Sequence, residues 1–148
     1  MQQPFQQNTN RVNVADGQCS KPPYVVLLMD DEESILDSFG KLLVMNGFIV
    51  YTASNGEQAL SVYCEALSSK QTVDVAVIDL TIPDGVGGFE TVARLKEIDP
   101  DVRAIATTGY FQDCLTDEYK KKGFVGILPK PYILPELLEA IDRVIRME

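Results

Sequence analysis

Short apolar runs alternate with amphipathic segments along most of this chain. Five runs have the length and the β-branched or aromatic content of strands, and they cover residues 24–29, 48–53, 73–79, 102–108 and 124–128. The first and third runs are almost continuously apolar, which is typical of strands buried on both faces of a sheet. Both of these runs lead into acidic residues.

Apolar residues recur at helical spacing between the runs. This spacing predicts helices over residues 33–46, 55–67, 89–98 and 134–147, and a weaker polar helix over 112–122. Ser54 or Asn55 is placed to cap the second helix, and Gly47 follows the first. Alternating strands and helices predict an α/β fold, with a five-stranded parallel sheet, helices on both of its faces and right-handed crossovers.

The first 23 residues differ in composition from everything that follows. They are rich in glutamine and asparagine, are interrupted by Pro4, Pro22 and Pro23, and show no period. Such a composition is typical of a segment without a packed core. We therefore expect a flexible tail or linker over residues 1–23 and one domain over residues 24–148.

The charge balance narrows the classes of partner. The chain carries 22 acidic and 13 basic residues, a formal net charge of −9. An acidic surface argues against direct binding to nucleic acid and against docking on anionic lipid. It suits metal cations or basic partner surfaces instead.

Two residue types narrow the chemistry and the compartment. The chain has no histidine, which excludes Ser-His and Cys-His catalysis, a histidine metal site and a phosphohistidine on this chain. Its three cysteines are far apart and form no CxxC pair, so we expect free thiols in a reducing compartment.

No apolar run approaches the roughly 18 residues of a membrane span. The start resembles no signal peptide, and we expect a cytoplasmic protein.

Polar side chains collect where the predicted strands end. In a parallel sheet these carboxyl ends lie along one edge, which is where open α/β sheets bind ligands. The edge would bring together carboxylates, hydroxyls and one ammonium group. These are Asp30, Asp31, Asp79, Thr107, Thr108 and Lys130.

Three carboxylates in one cleft indicate a divalent cation. Oxygen ligands without histidine or paired cysteine favour Mg²⁺, with Mn²⁺ also possible, over zinc. A metal, a lysine and a hydroxyl together can stabilise a phosphoryl group in transfer, and a carboxylate can act as the nucleophile. Simpler interpretations remain open: Asp30 or Asp31 alone could cap a helix, Asp79 could be a turn residue, and Lys130 could be solvated.

The chain resembles the receiver domain of two-component response regulators. The resemblance covers residues 24–145 and rests on four motifs in order, MDDEE, VIDLTIPDGVGG, ATTGY and LPKPY. It implies a flavodoxin-like (βα)5 three-layer sandwich with strand order 2-1-3-4-5.

The resemblance also implies a role for each matching residue. Asp79 matches the phosphoacceptor, and Asp30 and Asp31 match the acidic pair that holds Mg²⁺, with Asp31 as the direct ligand. The backbone carbonyl of Thr81 matches a further protein ligand of the metal, in addition to the carboxylates of these two acids and of Asp79. Two further positions match the phosphate-binding groups, Thr108 as the switch hydroxyl and Lys130 as the lysine. Pro131 matches a proline that often follows a cis bond.

The implied mechanism is phosphotransfer from a phosphohistidine on a histidine kinase or a histidine phosphotransfer protein to Asp79. Thr108 would then move toward the phosphoryl group and switch a partner-binding surface around the fourth helix and fifth strand. One position departs from the pattern. Many members carry an aromatic residue three positions before the lysine, and Ile127 stands there. An aliphatic side chain cannot swing a ring between buried and exposed states.

Several alternatives stay open at this point. The motifs DLTIPDGVGG and LPKPY resemble receivers at the C-terminus of hybrid sensor histidine kinases, so we expect that origin, with a stand-alone single-domain regulator as the alternative. A homodimer is possible, and the output partner is unknown. A Mg²⁺-dependent aspartyl-phosphate hydrolase would need a second aspartate at position 81, where Thr81 stands. A receiver that only binds partners is the third option.

Overall fold

A computed structural model describes residues 23–81, 87–109 and 117–147 of the chain. Its five strands form one parallel sheet in the order β2-β1-β3-β4-β5. The strands are β1 Val25–Met29, β2 Ile49–Ala53, β3 Val75–Asp79, β4 Ala104–Thr108 and β5 Phe124–Pro129. This arrangement confirms the predicted flavodoxin-like fold and its strand order.

Five helices connect and cover these strands. They are α1 Glu33–Met45, α2 Gly56–Ser68, α3 Gly88–Ile98, α4 Asp117–Lys121 and α5 Leu134–Ile145. Side chains of α2 and α3 share one apolar core with one face of the sheet, and side chains of α1 and α5 share a second core with the other face. The sheet is therefore the middle layer of three, and its central strands are apolar because both faces are covered.

Local signals account for most element boundaries. The Asn55 side chain caps α2 by accepting a hydrogen bond from the Gln58 backbone N–H at 2.9 Å. Gly47 follows α1 with φ +96°, a backbone conformation that glycine adopts at little cost. The N-cap of α1 is Glu32, without a side-chain cap bond, so neither Asp30 nor Asp31 has the capping role considered above.

Two predicted strands begin two residues too early. At position 74 the Asp74 backbone N–H donates to the Val25 carbonyl at 2.8 Å, but the return bond from the Val25 N–H goes to the Asp74 carboxylate, at 2.8 Å, and not to a backbone carbonyl. At position 102 the Val102 N–H bonds to the Asp99 carbonyl and closes a turn. Val73 and Val102 are buried beside the core, yet both precede the first residue of their strand.

Other predictions fall partly outside the described residues. The predicted tail, residues 1–23, lies outside them except for Pro23, and so do residues 112–116 of the predicted fourth helix. None of the helices in the described part of the chain is long and apolar enough to cross a membrane. Cys64, on α2, is an exposed free thiol.

Candidate functional site

Backbone hydrogen bonds fix the polar residues at the carboxyl edge of the sheet. The Asp30 N–H donates to the Ala53 carbonyl at 3.0 Å, directly after β1. The Lys130 N–H donates to the Thr108 carbonyl at 2.8 Å, directly after β5. Asp79 is itself the last residue of β3 and lies opposite Thr107 of β4. The strands thus bring the predicted acids, threonines and lysine to one place.

Three carboxylates meet at this edge. One oxygen from each of Asp30, Asp31 and Asp79 lies within 4.8 Å of the others. Asp79 is 0% exposed and Asp30 is 1% exposed, whereas Asp31 is exposed to solvent. We call these three residues the acid cluster. Like charges this close are stable only with a cation among them or with a proton shared.

The Lys130 ammonium is one such cation. Its Nζ lies 3.2 Å from Asp30 Oδ2 and 3.3 Å from Asp79 Oδ2. Burial alone would lower the pKa of this ammonium group, but the two carboxylates outweigh burial and raise the pKa. Lys130 therefore stays charged and leaves the acid cluster with two uncompensated negative charges when all three acids are ionised.

Asp30 is held from two sides. Its Oδ1 accepts the Glu32 backbone N–H at 2.9 Å, while its Oδ2 contacts Lys130. Burial raises the pKa of the Asp30 carboxyl, Asp79 raises it further, and the bonds from Glu32 and Lys130 only partly oppose this. The ionised form of Asp30 is thus costly in the absence of a further cation.

Thr81 contacts the Asp79 carboxylate through two donors. Asp79 Oδ1 accepts the Thr81 backbone N–H at 2.9 Å and the Thr81 hydroxyl at 2.7 Å. The sequence interpretation assigned only the backbone carbonyl of Thr81 and missed this contact. A signal existed, because an aspartate often bonds the backbone N–H two residues on. Asp30 and Asp99 make the same local bond here.

The family model described as the response regulator receiver domain matches residues 26–142 of this chain. The chain belongs to this family. It is therefore a receiver domain of two-component signalling, homologous to known phosphoacceptor domains.

Named relatives of this receiver domain differ in length. A response regulator receiver protein of Anaeromyxobacter is 31% identical over 113 residues, which are 76% of this chain and 45% of that protein. Sporulation initiation phosphotransferase F of Bacillus subtilis is 28% identical over 123 residues, which are 83% of this chain and 94% of that protein. A response regulator receiver domain protein from Clostridium thermocellum, known from a crystal structure, is 29% identical in sequence. Its structure superimposes with a TM-score of 0.70 over 82% of this chain and 94% of that one.

The donor set of this receiver domain fits the divalent ion that the sequence analysis expected. The acid cluster offers three carboxylate oxygens within one coordination shell, and the exposed Asp31 gives access from solvent. Hard oxygen ligands and room for water are what Mg²⁺ requires. Thr108 lies at the same edge, buried at the end of β4, and the Lys130–Pro131 peptide bond is cis.

Tyr132 is a neighbour of the site that the sequence interpretation missed. Its ring packs against Phe39 of α1 with centroids 4.9 Å apart, and the residue is 7% exposed. Its hydroxyl is buried and has no hydrogen-bond partner within the described residues. Burial raises the pKa of this hydroxyl, and the charges of Asp30 and Asp79 raise it further. The motif LPKPY contained this residue, but only the fold shows that its polar end is buried.

Proposed function

We propose that Asp79 of this receiver domain accepts the phosphoryl group. The observation that carries the proposal is the position of its carboxylate, fully buried at a strand end, with one oxygen 3.3 Å from the Lys130 ammonium and two further acids within 4.8 Å. A carboxylate in this setting is oriented for attack on phosphorus, with an ammonium group beside it.

The carboxylates of Asp30, Asp31 and Asp79, with the Thr81 carbonyl, would hold Mg²⁺ or Mn²⁺, and Asp31 would be a direct ligand because it is the exposed member. When bound, this ion supplies positive charge that neutralises the phosphoryl oxygens. The protein's own contribution is Lys130, whose ammonium is already directed at Asp79 and can follow the negative charge onto the phosphoryl group.

The reaction forms one bond and breaks one. An oxygen of Asp79 attacks the phosphorus of a phosphohistidine in line, the P–N bond breaks, and the imidazole leaves with the bonding pair and takes up a proton. Asp79 Oδ1 must first release at least one of its two bonds from Thr81 if it is the attacking oxygen. Water later attacks the phosphorus, the bond from phosphorus to the Asp79 oxygen breaks, and inorganic phosphate leaves while the carboxylate is restored. The chain catalyses only its own phosphorylation and dephosphorylation in this proposal.

The donor is a histidine kinase or a histidine phosphotransfer protein. Once phosphate is present, the Thr108 hydroxyl donates to it, and this movement shifts the population of a surface that includes α4 and β5. The lengths of the relatives support two settings, since receivers occur as part of a longer protein and as nearly the whole chain. We favour a hybrid histidine kinase, with a stand-alone regulator as the alternative.

Intact mass after incubation with Mg²⁺ and acetyl phosphate tests the acceptor. The wild type should gain one phosphoryl group, Asp79→Asn should gain none, and the control Asp101→Asn should behave as wild type because Asp101 is exposed and outside the acid cluster. A labelled Asp79→Asn protein would show that another residue is the acceptor. If no variant is labelled, purified histidine phosphotransfer proteins replace acetyl phosphate, and failure there too would favour a receiver that only binds partners.

A further inference from the structure

A groove with a basic rim lies on the outer side of α3 and α4. It has a volume of about 500 Å³, and its lining includes Phe89, Ala93, Lys96, Lys121, Lys122 and Gly123. We call it the basic groove. None of these residues belongs to the acid cluster or contacts Lys130, so the proposed phosphotransfer chemistry does not account for it.

The floor of the basic groove is an aromatic ring held in a fixed place. Phe89 is 38% exposed, although phenylalanine is usually buried. Its ring stacks on Tyr119 of α4 with centroids 5.8 Å apart and meets the edge of Phe124 at 5.8 Å. A rigid, half-exposed aromatic ring is the kind of residue that anchors protein interfaces.

The rim of the basic groove carries uncompensated positive charge. Within the described residues, Lys96, Lys121 and Lys122 form no ion pair with any carboxylate. The Lys122 ammonium lies 5.1 Å above the Phe89 ring instead, which keeps its charge at the groove. Glu90 also lines the groove, but its carboxylate is already paired with Arg94 at 2.7 Å. Three of the chain's 13 basic residues thus line one groove in a protein of net charge −9.

We propose that the basic groove docks an acidic segment of a partner protein, with an apolar side chain of that segment packed on Phe89. Charge complementarity selects the acid, since exposed lysines attract a nearby carboxylate within about 8–10 Å at physiological salt. The net charge of −9 disfavours the other polyanions, because an extended nucleic acid or an anionic membrane would also face the acidic remainder of the surface. A short acidic peptide would contact the lysines of the basic groove without facing the acidic remainder of the surface.

An NMR titration of the labelled full chain tests this proposal. The probe is a synthetic peptide of alternating glutamate and leucine, blocked at both ends. We expect saturable shifts at the backbone amides of Phe89, Ala93 and Gly123, and binding that weakens as salt is added. A peptide with lysine in place of glutamate should not shift these three amides, and one with serine in place of leucine should bind more weakly.

Charge-reversal variants separate a local site from a general charge effect. Lys121→Glu should weaken peptide binding by about threefold or more, since an exposed charge pair contributes up to about 1 kcal/mol. Lys41→Glu, a matched change at an exposed position of α1, should bind as wild type does. Equal weakening in both variants, shifts confined to another surface, or no saturable shift would overturn the proposal. Shifts that appear without peptide as protein concentration rises would assign the groove to a second copy of the chain, and would also overturn it.

Discussion

Replacing Asp30 by asparagine should stabilise the metal-free protein and should also remove most of its response to Mg²⁺. The nearest oxygens of Asp30 and Asp79 are within 4.8 Å, which corresponds to a repulsion of about 3–4 kcal/mol at an effective dielectric constant of about 20. The attraction between Asp30 and Lys130 at 3.2 Å is about 5 kcal/mol on the same basis. The repulsion from Asp79 and the attraction to Lys130 largely cancel. The cost of burying the Asp30 carboxylate therefore decides whether its charge stabilises or destabilises the fold.

The raised pKa of Asp30 expresses the same balance. A carboxyl whose pKa is higher in the folded than in the unfolded state lowers the free energy of unfolding once it ionises. This cost is absent below the ordinary carboxyl pKa of 3.8 and is fully present above the raised pKa. The neutral asparagine side chain of the variant would carry no such cost. We expect a gain of about 1 kcal/mol at neutral pH, a typical value for relief of an unfavourable charge, and a smaller gain as pH falls.

In the presence of Mg²⁺ the wild type should be more stable than Asp30→Asn, the reverse of the order expected without metal. At a Mg²⁺ concentration 100 times its dissociation constant, binding adds about 2.7 kcal/mol to the free energy of unfolding, or roughly 10 °C in Tm for a domain of this size. Asp30→Asn should lose most of this increment because the acid cluster loses one carboxylate.

Thermal melts with Mg²⁺ and with chelator measure both effects, and urea unfolding gives the free energies. Asp101→Asn is the control with the same change of charge at an exposed position outside the acid cluster. A metal-free Asp30→Asn protein that is less stable than wild type would refute the charge argument. A Mg²⁺ response as large as that of wild type would remove Asp30 from the metal site.

Three further substitutions test other contacts. Lys130→Ala should slow phosphorylation by acetyl phosphate about 100-fold while circular dichroism shows an intact fold, because a positioned cation is lost; an unchanged rate would exclude Lys130 from the site. Gly88→Ala should destabilise by about 1–3 kcal/mol in urea, since its Cβ would lie 2.6 Å from Leu80 Cδ2 and 3.0 Å from the Asp79 carbonyl oxygen; equal stability would contradict that geometry. Tyr132→Phe should stabilise by about 1 kcal/mol by removing an unpaired buried hydroxyl; a loss in the same urea assay would show that the hydroxyl is bonded.

The sheet and its order could be predicted because its strands obey simple rules. Near-continuous apolar runs between amphipathic segments fit only a sheet covered on both faces, and the resemblance supplied the order of the strands. Two strands were predicted to begin two residues too early because buried valines, Val73 and Val102, precede the first residue of each strand. The Asp74 carboxylate accepts the Val25 backbone N–H, and the Val102 N–H closes a turn by donating to the Asp99 carbonyl. Hydrophobicity reports burial, and Val73 and Val102 show that burial extends beyond the hydrogen-bonded ladder.

The composition of the candidate site could be predicted better than its contacts. Parallel strands place their ends together, so acids and lysine at strand ends must meet. The hydroxyl bond from Thr81 to Asp79 and the buried hydroxyl of Tyr132 depend on side-chain rotamers and on packing against α1, which no sequence pattern encodes. The Thr81 hydroxyl is one of the donors that hold the Asp79 carboxylate in place.

Ile127 bears on how a change at Asp79 reaches α4. Its side chain is partly buried against the α2–α3 core, opposite Ala106 of β4, and has no ring to rotate. The first two residues of α3, Gly88 and Phe89, lie between Asp79 and α4 instead. A Cβ at Gly88 would lie 3.0 Å from the Asp79 carbonyl oxygen, and the next residue, Phe89, stacks on Tyr119 of α4. Phe89 is also the floor of the basic groove, so a ligand in that groove and a phosphoryl group on Asp79 would act on one shared contact, and linkage requires any coupling between them to be reciprocal.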